Sequence, residues 1–416
     1  MSHARYLKLF ALTLLATLGA LACVNVAVDP YDLNARMRQA GVNAVKPAFQ
    51  DNQKLAKAFA VSRLAPQALV IGTSRSNHAL DPDHAGWRAD AQPRYNASAD
   101  GGHIREIARM FAHALAAGQV KQAVIELDPF SFDIHRPPAD NFPDDAYLSP
   151  GDSPWRLWPT QARFALSLST ARASLQTLRA QSSAVSDFET NGRRNVHVFQ
   201  TKLALYGGHR KVFLLSERTQ YIAPFFAKPT SQRPAFGNAD GGSNFVHLRH
   251  ILALARQAGV DARFYFSPVH ARQQELYAGL GLGPQLEEWK RDVVRLFAQE
   301  AAQVAGQPFP LWDFSGYNAV TTEEVPPLED ATSRMRWHWE SSHFTQATGD
   351  LILDRIFERN DPGRSMPTGF GVAVDAGNIE THLAQIRAGR QAYRAAHAAD
   401  TAELQAMIAS AAVRSR

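Results

Sequence analysis

Residues 9–28, LFALTLLATLGALACVNVAV, carry no charged side chain, and only Thr13, Thr17 and Asn25 among them are polar. As a helix, a run of this length at about 1.5 Å per residue spans about 30 Å, the thickness of a bilayer's hydrocarbon core. Arg5 and Lys8 precede it and Asp29 follows it. Basic residues on the N-terminal side put that end in the cytoplasm and the remainder of the chain outside. Two processing alternatives exist. A cleaved signal peptide is compatible with Ala20 and Ala22 before Cys23, and lipidation of Cys23 would meet Ala20 where a leucine is usual. The apolar run continues past Cys23 to Val28, which favours an uncleaved anchor. A buried core helix fits poorly at the extreme N-terminus beside a basic flank. No later stretch is apolar enough to span a bilayer.

The 416 residues are 45% hydrophobic and 20% charged, an ordinary globular composition that excludes a disordered chain, a collagen-like repeat and a coiled-coil rod. Forty-four Lys and Arg against 39 Asp and Glu leave a net charge of +5. Without clustering, that charge argues against a nucleic-acid partner. The single cysteine excludes an internal disulfide and a Cys-based zinc site.

Beyond the anchor, residues 31–66 read as a mixed linker ending in a helix over 52–63. Short apolar strands are expected at 68–72, 94–98, 120–127, 263–267 and 309–313. Helical spacing is expected at 104–117, 245–258, 285–304 and 348–358. On one helix face the first of these sets Ile104, Ile107, Met110, Phe111 and Leu115. Residues 131–244, rich in Pro, Gly, Ser and Asp, read as an insertion with one long helix over 155–181 and a strand-like VFLL at 212–215. Residues 361–416 read as a tail with one or two alanine-rich helices at 375–413. Strands alternating with helices predict a parallel sheet covered on both faces, an α/β fold. In such sheets ligands bind beyond the carboxyl ends of the strands.

Gly-Thr-Ser-Arg, residues 72–75, follows the first strand. A serine at a strand-to-helix turn exposes its hydroxyl beside free backbone N–H groups; the plainer reading of Ser74 is a helix N-cap. Asn-Ala-Ser-Ala-Asp-Gly-Gly, 96–102, follows the second strand, and its glycines can bring backbone N–H close to a ligand or simply make a turn. Glu126, Asp128 and Pro129 follow the third, Ser267, Pro268 and His270 the fourth, and Asp313 the fifth. The sharpest local signal is Trp-His-Trp-Glu-Ser-Ser-His-Phe, 337–344. Glu340 precedes His343 by three residues, close enough to orient the imidazole, and a neutral histidine so held can take a proton from a serine. Metal ligation is the weaker alternative, since no His-Glu-Xaa-Xaa-His pattern is present.

In order, a first-strand Gly-Xaa-Ser, a second-strand Asn-Ala-Ser-Xaa-Xaa-Gly and a late acid-Xaa-Xaa-His resemble the SGNH (GDSL-type) hydrolase superfamily. Val-Ile-Gly-Thr-Ser-Arg-Ser resembles its membrane-anchored envelope branch, related to the glycan O-acetylation and D-alanylation proteins of bacterial surfaces. The likeness covers residues 68–130 and 245–358. It implies a three-layer α/β/α sandwich with a flavodoxin-like parallel sheet, a single SGNH-type domain over 67–360 holding the insertion 131–244. It also implies Ser74 as nucleophile, His343 as base, Glu340 as its orienter, and oxyanion donors at Ser74 and Gly101. The family's third donor, an Asn after the third strand, is replaced by Asp-Pro-Phe-Ser at 128–131, so Asn96, Arg75 or another group would have to substitute. Arg75, Asp128, His270 and Asp313 are expected as supports. The implied function is a serine esterase or O-acyltransferase, without metal or organic cofactor. It would act on acyl groups of an envelope polysaccharide outside a bacterial inner membrane, alongside a membrane-bound acyltransferase. The rival is an inactive domain of the same fold that binds glycan or that acyltransferase, which the lost Asn and the large insertion favour. In the insertion, Trp155, Trp158, Phe164, Tyr206 and Tyr221, with Arg193, Arg194 and Arg210, suit sugar stacking or the insertion's own core.

The charge flank of the apolar run sets the topology. A C-terminal alkaline phosphatase fusion is expected to be active in the periplasm; an inactive fusion beside an active cytoplasmic reporter contradicts the orientation.

Overall fold

The computed structural model describes residues 2–34, 38–139, 142–182, 185–237, 244–304 and 306–414. In chain order the elements are α1 (His3–Val28), α2 (Gln53–Leu64), β1 (Ala68–Ile71), α3 (Ser74–Ala79), β2 (Arg94–Asn96), α4 (Ile104–Ala117) and β3 (Gln122–Leu127). There follow α5 (Trp158–Ala165), α6 (Leu168–Arg179), α7 (His197–Tyr206), α8 (His209–Ser216), a π-helical segment Glu217–Ile222, α9 (Ala223–Ala227) and α10 (Phe245–Gln257). The last are β4 (Asp261–Phe266), α11 (Ala271–Gly279), α12 (Gly283–Gln303), β5 (Leu311–Asp313), α13 (Gln346–Ile356), β6 (Val372–Ala373), α14 (Ile379–Ala396) and α15 (Ala398–Arg414).

The chain is mixed α/β, and its sheet runs β2-β1-β3-β4-β5-β6. The first five strands are parallel, with Val70 opposite Asn96 and Val124, and Phe266 opposite both Leu127 and Asp313. Residues of β1 and β3 are buried along their whole length, as expected of strands covered on both faces. β1 leads to β2 on one side of it and β3 lies on the other, so the strand order reverses there and opens a crevice beyond the ends of β1 and β3. Beneath the crevice, α13 presses on α3: a Cβ at Gly349 would lie 2.1 Å from the Ala79 carbonyl, so only glycine fits. Val70, Val124, Tyr265, Leu80, Phe314, Phe344 and Ile352 form part of the buried apolar core around this contact.

The described residues form two compact units. One takes in residues 1–65, 112–119 and 141–189, the other 66–111, 120–140 and 190–416. The expected insertion 131–244 is therefore divided between them; within it residues 140, 141, 183, 184 and 238–243 lie outside the described residues. VFLL at 212–215 is helix α8, a correction to the strand expectation. Four apolar residues do not define a period, and the buried positions Val212, Phe213 and Ser216 follow helical spacing. The helix expected over 155–181 breaks at Leu166, and Ser167 caps α6 through the Ser169 amide. Residues 379–414 form the two helices α14 and α15, where one or two were expected. Leu404 and Met407 of α15 pack with Leu276 and Tyr277 of α11. The buried Arg272 bonds Glu217 at 2.8 Å and Glu403 at 2.9 Å.

α1 is long and apolar enough to cross a membrane, and most of it is exposed.

Candidate active site

The β1–α3 turn is built on a buried carboxylate. Glu126 of β3, fully enclosed, accepts from the Thr73 amide (2.8 Å), the Thr73 hydroxyl (2.9 Å), the Ser76 hydroxyl (2.6 Å) and the Ser267 hydroxyl (2.7 Å). Because Ser76 donates to Glu126, the Tyr265 hydroxyl donates to Ser76 at 2.6 Å. Gly72 permits this approach: a Cβ there would sit 2.5 Å from a Glu126 oxygen. Thr73 is the N-cap of α3, its Oγ1 accepting from the Arg75 amide. The cap role is thereby filled one residue early, and the Ser74 hydroxyl is left for another partner.

That partner is His343. Ser74 Oγ lies 2.8 Å from His343 Nε2, and His343 Nδ1 makes a short hydrogen bond to Glu340 Oε1. A carboxylate can only accept, so Nδ1 carries the proton and Nε2 is the acceptor facing serine. Glu340 Oε1 also accepts from the His343 amide at 2.8 Å. The three residues proposed from sequence thus come together across 269 positions of chain. Burial alone would raise the Glu340 carboxyl, but the adjoining His343 outweighs it and holds the group down to about 2. A depressed carboxyl stabilises the fold above its ordinary value of 4.5, and that contribution is lost only as pH falls towards about 2. His78 stands edge-on to His343 with centroids 5.5 Å apart. Burial first, and then the neighbouring His343, hold His78 well below the usual histidine range, so it stays neutral beside the pair.

Loop 337–344 is pinned from behind. His338 bridges Phe344, and the Trp339 amide bonds the His343 carbonyl at 2.9 Å, closing a tight hairpin. Glu323 accepts from the amides of Trp337 (2.9 Å) and His338 (3.2 Å). His270 is a member of this scaffold. Its amide bonds the Ser341 carbonyl at 3.0 Å, its Nδ1 accepts from the Arg272 amide, and its Nε2 donates to the Glu323 carbonyl at 2.7 Å. Burial holds it neutral, well below its ordinary value.

Ser74, Arg75, Gly101, Asp128, Ser342 and His343 line one cleft of about 440 Å³, with Phe130, Tyr221, Pro224, Phe225, Tyr277 and Leu280 forming an apolar wall. The π-helical segment and α9 supply Tyr221, Pro224 and Phe225. The Tyr221 hydroxyl donates to Ser342 Oγ at 2.7 Å. Arg75 is already engaged: its guanidinium reaches the Ser342 carbonyl (3.1 Å), Ser342 Oγ (2.9 Å) and Asp128. Asn96 is likewise spent, correcting its expected oxyanion role: its amide donates at 2.9 Å to the carbonyls of both Ser76 and Leu80. Asn96 therefore has no amide hydrogen left to replace the missing Asn. The amides of Ser74 and Gly101, in contrast, have no hydrogen-bond partner among the described residues, and Gly101 has the positive φ of 62° that glycine tolerates.

Asp313 does not line the cleft. It is buried at the end of β5, held by Lys290 (2.5 Å) and His382 (2.9 Å), which together overcome burial and keep it ionised far below the usual range. It ties α12 and α14 to the sheet. Of the insertion's aromatic residues, Tyr221 reaches the cleft; Trp155, Trp158 and Phe164 belong to the other unit. Arg194 is paired with Asp100, Arg210 with Asp400 and Glu403, and Arg193 is buried. Among the described residues no group of three His, Cys, Asp or Glu side chains could hold a metal ion. No protein-family model matches the chain, and no curated protein matches it.

In the sequence Glu126 is one of several polar strand-end residues, and nothing in the run 337–344 singles out Ser342. Glu126→Ala leaves the Thr73 amide and hydroxyl, Ser76 and Ser267 without a buried acceptor. It is expected to lower unfolding stability by about 3 kcal/mol or more. Urea midpoints of this variant and of Ser74→Ala, compared in one buffer, check this; a loss below about 1 kcal/mol contradicts the central place given to Glu126.

Proposed function

We propose that this protein is a membrane-anchored serine esterase or O-acyltransferase with an SGNH-type, three-layer α/β/α domain held outside a bacterial inner membrane. The observation that carries this is the continuous Ser74–His343–Glu340 relay at the mouth of a cleft large enough for an ester with a sugar-sized alcohol. The strand order and the site's position at the reversal point support the same reading.

In this mechanism Ser74 Oγ attacks the ester carbonyl while His343 Nε2 takes its proton, and Glu340 stabilises the resulting imidazolium. The tetrahedral oxyanion is met by the amides of Ser74 and Gly101. His343 then returns the proton to the departing alcohol oxygen, leaving an acyl group on Ser74. Water, or a glycan hydroxyl activated by the same histidine, attacks that acyl-serine and releases it. The resemblance supplies the substrate class, an O-acyl group of an envelope glycan. A membrane-bound acyltransferase is the partner it suggests.

The second reading, a binding domain without turnover, is favoured by one observation. Asp128 and Arg75 are locked to each other where the family has an oxyanion Asn, and a lost donor of that kind costs about a hundredfold or more in rate.

Hydrolysis of p-nitrophenyl acetate by the full chain in detergent separates the two. Ser74→Ala and His343→Ala are each expected to lose about a thousandfold or more, because a triad works as a unit. Glu340→Gln is expected to lose about a hundredfold or more through the wrong imidazole tautomer. A Ser74→Ala variant with the wild-type rate establishes the binding reading instead.

A further inference from the structure

Helix α6 exposes what a water-facing helix hides. Its buried positions are Thr170, Ala173, Ser174 and Thr177, which share one stripe at i, i+3, i+4 and i+7. Leu168, Leu175 and Leu178 lie off that stripe and are 71%, 47% and 43% exposed. A helix packed on a soluble core does the opposite. Small residues at the packed face with leucines outward is the arrangement of helices that meet in lipid, where leucine gains nothing by hiding.

The small-residue stripe belongs to a helix that packs along α1. Asn25, in the last turn of α1, donates to the carbonyls of Ala165 (2.9 Å) and Ser167 (3.1 Å), and accepts from Ser174 Oγ (3.2 Å). The one amide side chain of the apolar run is therefore satisfied by the α5–α6 corner, which fixes that corner at the end of the run. At the start of α5, Trp158 and the preceding Trp155 pair edge to face yet remain 62% and 67% exposed. Tryptophan with one apolar and one polar edge collects at the headgroup level of a bilayer. Arg172 and Arg179, exposed on α6, have no carboxylate partner among the described residues and suit lipid phosphates.

We propose that the α5–α6 corner is a membrane-interface element. It seats Trp155, Trp158, Leu168 and Leu175 in the headgroup–acyl boundary of the leaflet from which α1 emerges. The occupant of this apolar face is the bilayer that α1 enters, because α5 and α6 both pack against α1 and Asn25 ties their corner to its last turn. This inference rests on α1 as a membrane span and is independent of the chemistry at Ser74.

The test places a nitroxide at single cysteines in the full chain, in a Cys23→Ser background, reconstituted at one copy per nanodisc of phosphatidylglycerol and phosphatidylethanolamine. Positions 168 and 175 are compared with 15, within the apolar run, and with the exposed Leu205 of α7. The proposal predicts an oxygen-to-nickel-chelate accessibility ratio at 168 and 175 several-fold above that at 205, approaching the value at 15. Brominated lipids should quench tryptophan emission in the wild type and much less in Trp155→Phe/Trp158→Phe. A lipid-like value at 15 with water-like values at 168 and 175 overturns the proposal and leaves the anchor standing. A water-like value at 15 overturns both. Values at 168 and 175 that rise only with two copies per disc assign the face to a second copy and also overturn it.

Discussion

A single buried carboxylate organises the turn on which the site stands. Glu126, near the end of β3, lies beneath the β1–α3 turn and gathers donors from two strand ends: Thr73 and Ser76 after β1, and Ser267 after β4. A charge enclosed so completely is tolerable only when its lone pairs are all engaged. Satisfying it fixes the backbone of residues 72–76, and that backbone aims Ser74 outward. The same geometry makes Gly72 obligatory and assigns capping to Thr73, which frees the serine hydroxyl for His343.

The second half of the site is brought in by long-range ties rather than by its own strand. Arg75 holds Ser342 by its carbonyl and hydroxyl and is itself held by Asp128. His270, Gln273 and Glu323 grip the hairpin from the opposite side. Loop 337–344 is thereby clamped between β1's turn and α11. His343 meets Ser74 because both ends of this clamp are anchored to the parallel sheet. The π-helical segment carrying Tyr221 is fixed by the buried Glu217–Arg272 pair, which lets the insertion's second half form the cleft's apolar wall.

Much of this was legible in the residues, and the exceptions share a cause. The strands and core helices carry their own periodicity, so β1, β3, β4, α4 and α12 lie close to where the pattern places them. Ser74, Glu340 and His343 stood out because one follows a strand at a sharp turn and the others are three apart in one loop. What escaped depends on partners distant in sequence. Asn96 reads as an available amide until Ser76 and Leu80 claim both its hydrogens. Arg75 and Asp128 look like two independent polar groups until they pair. Asp313 and His270 sit at strand ends, as active-site residues do, but their partners are α12, α14 and the supporting loop. β6 is two residues long, and VFLL is four, too few for any period. The insertion carries no mark of the point at 189–190 where it passes from one unit to the other.

The proposed function requires the Ser74 hydroxyl to be a nucleophile activated by His343. Mass-spectrometric mapping of a fluorophosphonate adduct on the full chain tests this. One modified residue is expected, Ser74, with modification lost in His343→Ala although Ser74 is still present. Labelling at another serine, or equal labelling of Ser74 without His343, would contradict it.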